Sequence, residues 1–346
     1  MLEKRLAGEA FEDAGSPSGG AVATEVDIVA VEQDHMPPAG IEPRRDGIVD
    51  TAVHDLAKDI DWPTLLWIAG IHAMALAAPF TFTWSGLAIC LVLCWVTGSL
   101  GVCLGYHRLL THGSFLTYPP VRWLFAFIGG VSGEGSAVVW VANHRKHHAF
   151  SDQPGDPHTP REGGLWAHML WIFPKHSAQE IEAHVKRWAP DLARDRGIMF
   201  LHHTFILWHL LIGGALLGLG WAWYGPAVGL SWLVWGMAVR MIYVFHVTWF
   251  VNSATHMWGY RNYETTDDSK NLWWVGLLAF GEGWHNNHHA FQRMAKHGHK
   301  WWEVDTTYWV ILCLEKLGLA WNVVHNPPKA AAFAGPPKAA VARMGQ

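Results

Sequence analysis

Four long apolar runs, separated by polar segments, dominate the hydrophobic pattern of this chain. They cover roughly residues 62–82, 84–105, 200–221 and 227–251. Each has about 20 residues, the length that an α-helix needs to cross ~30 Å of hydrocarbon. The pattern therefore predicts an all-α integral membrane protein with four transmembrane helices.

The two ends of the chain lack this pattern. Residues 1–60 are polar and mix acidic and basic side chains with Gly, Pro and Ala, a composition typical of disordered segments. The last stretch, 326–346, is rich in Ala, Pro, Gly and Lys and is expected to be loose as well. One domain is thus predicted over residues 61–325, between a disordered cytoplasmic tail and a loose C-terminal tail.

The basic residues predict which side of the membrane each polar segment occupies. The short connections after the first and third apolar runs contain no Lys or Arg, and Arg240 is the one basic residue inside a run. Because cytoplasmic segments carry the excess of Lys and Arg, both termini are expected in the cytoplasm, together with a cap formed by residues 106–199 and 252–325. The four spans then form two hairpins.

Composition adds two anomalies to this picture. The 346 residues include 23 Trp and 23 His. Trp favours the membrane–water interface, whereas His at this frequency indicates metal or proton chemistry. The net charge of −4 gives no argument for nucleic acid as a partner. The four cysteines form no C-x-x-C pair and are interpreted as small apolar core residues.

Eight of the histidines form three clusters on the predicted cytoplasmic side. They are His107 and His112, then His144, His147 and His148, and finally His285, His288 and His289. In the two H-x-x-H-H clusters, spacings of three and four residues predict three imidazoles on one helical face. His107 and His112 are five residues apart, so they are expected to converge if the helix ends between them, and Gly113 favours an end there.

The number of imidazoles restricts what these clusters can bind. A structural zinc site needs four ligands and usually includes Cys, whereas eight or more imidazoles imply at least two metal ions. Imidazole suits Fe, Zn, Cu and Ni. Two such ions beside a membrane point to oxygen chemistry on a hydrocarbon. A metal transporter or sensor is the alternative outside enzymes, but it is expected to carry histidines along a path within the spans.

Five short motifs surround the histidines. They are G-Y-H-R-L-L-T-H at 105–112, W-V-A-N-H-R-K-H-H at 140–148, D-P-H at 156–158, N-S-A-T-H at 252–256 and G-W-H-N-N-H-H at 283–289. In order and spacing they resemble the membrane fatty acyl desaturases of the stearoyl-CoA, Δ9 type, in a bacterial form, over about residues 60 to 325. The resemblance implies a ninth histidine ligand, His256, and a metal-bound water held by Asn252.

The resemblance also implies a reaction and its cofactors. In that family two ferrous ions and O2 remove two hydrogens from adjacent methylenes of a saturated acyl chain, leaving a cis double bond, here expected at position 9, and two waters. The chain contains no haem, flavin or Gly-rich dinucleotide motif. Two electrons are therefore expected from an external donor, a ferredoxin or small haem protein with its reductase.

Further site residues are predicted around the metals. Neutral histidines leave the metal charge uncompensated, so acidic side chains are expected behind the rings; the candidates by position are Asp152, Asp156, Asp267 and Glu282. The resemblance implies a substrate tunnel lined by Trp140, Thr248 and Trp249. Trp95 is expected to close its far end, about 18 Å from the metals along a straight helix, and the small residue Ser99 leaves room for the chain.

The chain departs from the animal acyl-CoA enzymes near the expected carrier site. It has Ala142-Asn143 where they carry a basic and an acidic residue, and Arg161-Glu162 where they carry two basic residues. The acyl carrier therefore stays open between CoA, a glycerolipid and a carrier protein. Glu134 stands where a Gln is expected near the tunnel. A membrane di-iron hydroxylase of fatty acids or alkanes is the alternative enzyme, but its usual H-E-x-x-H boxes are absent.

Overall fold

The computed structural model describes residues 59–327, so the predicted tails lie almost wholly outside the described residues. The α-helices are α1 Trp62–Ala75, α2 Trp84–Cys94, α3 Pro119–Val131, α4 Ala137–Phe150, α5 Gly164–His168, α6 Ala178–Trp188, α7 Pro190–Arg194, α8 Arg196–His203, α9 Phe205–Tyr224, α10 Pro226–Leu233, α11 Arg240–Asn252, α12 Ala254–Met257, α13 Trp273–Leu278, α14 His285–Ala290 and α15 Thr306–Lys316. Two π-helical segments, Trp95–Thr111 and Val234–Val239, continue α2 and α10. Short 3₁₀ turns occupy Ala78–Phe80, Pro160–Glu162 and Leu170–Ile172.

The all-α prediction needs one correction. Two strands of two residues each, β1 Leu116–Thr117 and β2 Ala320–Trp321, pair antiparallel. They join the segment after the second span to the end of the described chain. A second correction concerns the cysteines: Cys90, Cys94 and Cys103 are buried, but Cys313 is exposed.

Within residues 59–327, four helices are long and apolar enough to cross a membrane. They are Trp62–Phe80, Trp84–Thr111, Phe205–Tyr224 and Pro226–Met257. The second and fourth extend beyond the predicted apolar runs, because helical hydrogen bonding continues into the polar histidine motifs. The third begins later than predicted, because the backbone at Thr204 leaves the helical conformation and separates α8 from α9. The two-hairpin arrangement and the cytoplasmic position of the cap stay predictions.

The four spans divide into an inner and an outer pair. Protein covers 50% and 61% of the most apolar stretch in the second and fourth spans, but only 11% and 17% in the first and third. The fourth span packs against the other three. Large apolar side chains such as Leu66, Leu210 and Trp221 are left exposed on the outer pair. A continuous apolar surface of this kind fits a lipid environment.

Glycines let α3 lie directly against the second span. A Cβ atom on Gly101 would come within 2.7 Å of the backbone nitrogen of Gly129, closer than side chains can pack. The contact holds the C-terminal end of α3 beside the π-helical segment that carries the first histidine cluster.

Arg240 is fully buried inside the fourth span. Its guanidinium donates to the carbonyl oxygens of Gly236 and Val131 and to the Met237 sulfur, so none of these partners among the described residues is an acid. Val131 is the last residue of α3, where a helix presents unpaired carbonyls that favour a cation. Arg240 thus ties the fourth span to the end of α3.

Candidate metal centre

In the part of the chain that the structure describes, the nine histidines that the sequence predicts lie close together. Their ligand nitrogens form two groups, within each of which all atoms lie within 4.8 Å of one another. One group contains His107, His112, His144, His148 and His288, and the other contains His147, His256, His285 and His289. All nine are buried or half-buried.

Each H-x-x-H-H motif is shared between the two groups, a division that the spacing of its histidines does not predict. On α4, His144 and His148 belong to the first group and His147 to the second. On α14 the order is reversed: His288 belongs to the first group, whereas His285 and His289 belong to the second. Each motif therefore links the two groups, because α4 and α14 each contribute histidines to both.

A π-helical turn brings His107 and His112 together. The helix ends at Thr111, with His112 as its cap, and the backbone N–H of His112 donates to the carbonyl oxygen of His107. An i→i+5 bond places residues five apart one above the other, and the two ring centroids are 4.8 Å apart. The predicted helix end is present, but the wide turn is what aligns the pair.

The contacts among the rings cannot all be hydrogen bonds. The Nε2 atom of His288 lies 3.1 Å from Nε2 of His107 and 3.0 Å from Nε2 of His148, and His148 Nε2 is also 3.0 Å from His144 Nε2. A neutral ring nitrogen carries either one hydrogen or one lone pair, so it makes one hydrogen bond. A cation placed among these nitrogens accepts all their lone pairs at once. The donor set therefore fits a bound metal ion.

The second group shows the same arrangement. His285 Nε2 and His256 Nε2 lie 3.0 Å apart. The buried Nε2 atoms of His147 and His289 have no hydrogen-bond partner among the described residues. A buried polar atom without a partner costs about 1–3 kcal/mol, which a metal ligand bond removes.

The four predicted acids stand behind the rings. Nδ1 of His107 is 2.6 Å from Glu282 Oε2, and Nδ1 of His147 is 3.0 Å from Asp156 Oδ1. Nδ1 of His256 is 2.7 Å from Asp152 Oδ2, and Nδ1 of His289 is 2.7 Å from Asp267 Oδ2. A carboxylate that accepts the outer N–H keeps the inner nitrogen free as a ligand and orients the ring.

The ionisation states suit metal binding. Burial holds the pKa of His144, His148 and His285 well below the usual range, so these rings are neutral at physiological pH. Burial alone raises the pKa of Asp156, but the neighbouring His147 holds it at about 2. In the same way, His289 lowers the pKa of Asp267 to below its usual range. Neutral nitrogen donors backed by ionised acids are the states that a bound metal requires.

Two further histidines share these acids. Nδ1 of His297 is 3.1 Å from Glu282 Oε2, and Nδ1 of His158 is 4.0 Å from Asp156 Oδ1. His158 also stacks on His147, with ring centroids 4.3 Å apart. Sequence reasoning gave neither residue a role, although the D-P-H motif was a signal for His158; for His297 only its position shortly after the third cluster pointed this way.

Arg108 is the other residue that sequence reasoning missed. It is fully buried, and it donates to Glu282 and to Asp305, at 3.0 Å each, and to the carbonyl oxygen of Ala295 at 2.7 Å. It therefore fixes Glu282 behind His107 and ties the first histidine motif to the segment before α15. Its place next to His107 gave no sign of this, because its partners lie far along the chain.

A cavity of about 470 Å³ opens beside the histidines, within the size range of small-molecule sites. Its wall includes His144, Asn252, Trp140, Thr248 and Trp249, so the predicted tunnel residues lie together next to the centre.

Trp95 and Ser99 do not line the described cavity. The Trp95 side chain is 42% exposed on the second span. The buried Ser99 hydroxyl lies 3.0 Å from the Thr307 hydroxyl. The structure therefore does not bring these two residues together with the other predicted tunnel residues.

Comparison with known proteins gives this centre its context. The fatty acid desaturase family profile matches residues 82–320. The chain belongs to the fatty acid desaturase family. It is thus an oxidoreductase, an acyl desaturase; the family is metal-dependent, and the two histidine groups could hold metal ions.

Several named desaturases are similar to this chain along most of its length. An sn-1 stearoyl-lipid 9-desaturase from Anabaena variabilis is 44% identical over 266 residues, covering 76% of this chain and 94% of the relative. An sn-2 palmitoyl-lipid 9-desaturase from a Nostoc species is 41% identical over 277 residues, covering 80% and 94%. An acyl-CoA C20 Δ5-desaturase from Anemone leveillei is 38% identical over 312 residues, covering 88% and 94%.

Proposed function

We propose that this desaturase introduces a cis double bond at position 9 of a saturated acyl chain carried by a membrane glycerolipid, with O2 as the oxidant, in unsaturated fatty acid biosynthesis. One observation carries the proposal: a cavity walled largely by apolar side chains adjoins the histidine centre at His144. An unactivated hydrocarbon fits such a cavity, and its conversion needs the strong oxidant that a metal pair provides.

Two iron ions are the proposed cofactors, held by His107, His112, His144, His148 and His288 on one side and His147, His256, His285 and His289 on the other. When bound, the irons supply the reduction of O2 and the abstraction of two hydrogens from adjacent methylenes. Overall, the acyl chain loses two hydrogens, and O2 takes these together with two electrons and two protons to form two waters. The electrons come from outside the chain, so a ferredoxin or small haem protein with its reductase is the proposed donor.

The protein side chains prepare this reaction by holding and excluding. The four acids, Asp152, Asp156, Asp267 and Glu282, keep one nitrogen of each backed ring protonated and direct the other inward. Trp140 stacks on His144, with ring centroids 4.9 Å apart, so one wall of the cavity is continuous with the ligand shell. Asn252 lines the cavity one helical turn before His256, which supports its proposed hold on a metal-bound water.

The proposed carrier is a lipid because of the residues that line the cavity. No Lys or Arg is among those described residues; the polar groups in the lining include Asp61, Asn143, His176 and His184. Phosphate groups such as those of CoA are usually bound by Arg and Lys. A glycerolipid brings its acyl chain from the membrane and needs no such cations. The names of the Anabaena and Nostoc relatives also specify lipid-linked substrates and position 9.

Product analysis tests the reaction. Expressed in a host that cannot make unsaturated fatty acids, the chain is expected to restore growth and to yield cis-9 monoenes in the membrane lipids. His147→Ala, which removes one proposed ligand, is the inactive control. A hydroxylated product refutes desaturation, and a double bond elsewhere refutes position 9.

The carrier has its own test. Purified enzyme with an electron-donor system is offered matched stearoyl-glycerolipid and stearoyl-CoA. Rapid conversion of the lipid with little conversion of the CoA ester is expected, and the reverse preference refutes the lipid carrier.

Sidedness can be tested with the exposed Cys313 on α15. We propose that both termini and the metal centre face the cytoplasm. A membrane-impermeant maleimide should then label Cys313 in inside-out vesicles but not in intact cells, and Cys313→Ser provides the control. Labelling of intact cells refutes the orientation.

A further inference from the structure

A five-residue loop between α3 and α4, Ser132–Ser136, is held rigidly from both spans that flank it. Arg240 donates to the carbonyl oxygen of Val131 just before the loop, and the Tyr106 hydroxyl donates to the carbonyl oxygen of Gly135 at 3.1 Å. Gly133 and Gly135 have φ values of +91° and +97°, which favour glycine. The residue between them, Glu134, is therefore presented in one direction.

The Glu134 carboxyl faces the cavity beside the metal centre. Its Oε2 accepts a 3.1 Å hydrogen bond from Trp140 Nε1, and the Thr248 hydroxyl acts on the same carboxyl. Its Oε1 is shielded from solvent and has no hydrogen-bond partner among the described residues. Glu134, Trp140 and Thr248 all line the cavity. Trp140 thus fixes one carboxyl oxygen, and the other, enclosed by protein and without a partner, belongs to a residue on the wall along which a substrate would lie.

A saturated acyl chain cannot satisfy that oxygen. Methylenes offer no hydrogen-bond donor, and an ionised carboxylate without a partner is costly in an apolar environment, so the group neutralises instead. Burial already raises the pKa of Glu134 to about 7. An acyl chain that displaces the remaining water favours the neutral acid further.

We propose that Glu134 is a substrate-positioning residue that accepts the acyl chain only as the neutral carboxylic acid, so that acyl binding takes up one proton from solvent. The proposal rests on the proposed function, in which the acyl chain occupies this cavity. Glu134 then sets the acyl affinity, whereas Trp140 is held against His144 whether residue 134 is an acid or an amide.

Other titratable groups face the same region and must be separated from Glu134. Tyr106 and Cys103 lie on the second span within electrostatic range of Glu134. His144, His158, Asp61, His176 and His184 also line the cavity. Arg240 holds the adjoining loop. All of these groups remain in a Glu134 variant, so the difference between wild type and variant isolates Glu134.

The first test compares the pH dependence of KM in the wild type and in Glu134→Gln. The amide oxygen of Gln can still accept from Trp140, but it does not titrate. Wild-type KM for the acyl substrate is expected to rise above about pH 7, approaching about tenfold per pH unit, with kcat changed much less. Glu134→Gln should lose this rise, and Glu134→Asp, which restores a carboxyl, should regain it. Equal KM profiles in wild type and Glu134→Gln overturn the proposal.

The second test needs no turnover. Palmitoyl lysophosphatidylcholine is titrated calorimetrically into the full-length protein at about pH 8 without reductant, in buffers of different protonation enthalpy. Wild type is expected to take up nearly one proton more than Glu134→Gln. Equal uptake in the two proteins overturns the inference. Desaturation failing while the proton difference persists refutes the proposed reaction and leaves this inference standing.

Discussion

This protein contains two sets of neighbouring histidines, and the surroundings of the two sets differ. One set is the nine-residue centre. The other lies in the helix bundle, where His246 is within 3.2 Å of His72 and 3.0 Å of His168. This row of three rings has one further partner at each end. His72 Nδ1 lies 2.8 Å from the Ile68 carbonyl oxygen, and His168 Nδ1 lies 3.1 Å from the Ser253 hydroxyl. Each ring nitrogen in the bundle set therefore has one partner.

The difference shows how a metal centre can be told from hydrogen-bonding histidines. Within the described part of the chain, no carboxylate pairs with the bundle set, and its contacts can all be hydrogen bonds. In the centre, single nitrogens such as His288 Nε2 approach two others, and carboxylates back four of the rings. Crowded lone pairs in front and acids behind indicate a metal; histidine number alone does not. The bundle set is better explained as polar contacts joining α1, α5 and α11.

The largest expected effect comes from exchanging a histidine in each set. His147→Ala should abolish desaturation and lower the metal content, since it removes both a ligand nitrogen and the ring that Asp156 orients. His246→Gln, the matched change in the bundle, should keep its metal and most of its activity. Metal analysis of purified protein and product assays measure both. Metal loss in His246→Gln, or normal metal in His147→Ala, would erase the distinction.

A smaller effect is expected from the acids behind the rings. Asp152→Asn keeps an oxygen acceptor for His256 Nδ1 but removes its charge, so metal affinity or activity should fall about 10- to 100-fold. Asp268→Asn is the control, because Asp268 lies nearby but pairs with Arg161 at the surface. Its activity should stay near wild type. Competition with a chelator gives the relative affinities, and equal values for the two variants contradict a role of Asp152 in metal binding.

A stability effect is predicted for the bundle set. His72→Leu removes one interhelical hydrogen bond and leaves His246 with an unpaired nitrogen, which should cost about 0.6–2 kcal/mol. Metal content at low temperature should be unchanged. Thermal unfolding in detergent measures the loss, and a fall in metal content without a fall in stability argues that the bundle set belongs to the centre.

The smallest effect is expected at Trp95. Because its side chain is exposed and lies outside the described cavity, Trp95→Ala should leave the chain-length profile of the products unchanged. Products from a mixed pool of acyl chains, normalised to folded protein, give the comparison. A shift toward longer products would support the tunnel end that the resemblance implies.

The local sequence pattern predicts much of this structure. The four apolar runs predict the spans because a helix of about twenty apolar residues matches the hydrocarbon thickness of a membrane. Four helices of this length and composition among the described residues confirm the prediction. The clusters and the family resemblance predict nine histidines, and position along the chain predicts four acids, that the structure brings together. These inferences succeed because hydropathy and ligand spacing act within a few residues.

The remaining features depend on residues distant in the chain. Spacing alone did not show that each H-x-x-H-H motif serves both metal groups, because that depends on how α4 packs against α14. Spacing also did not show that Arg108 fixes Glu282, or that Trp95 lies outside the lining of the cavity. The surroundings of the Glu134 carboxyl form only where α3, α4 and the fourth span meet. Contacts of this kind arise only on folding, because burial and hydrogen-bond partners come from segments far apart in sequence.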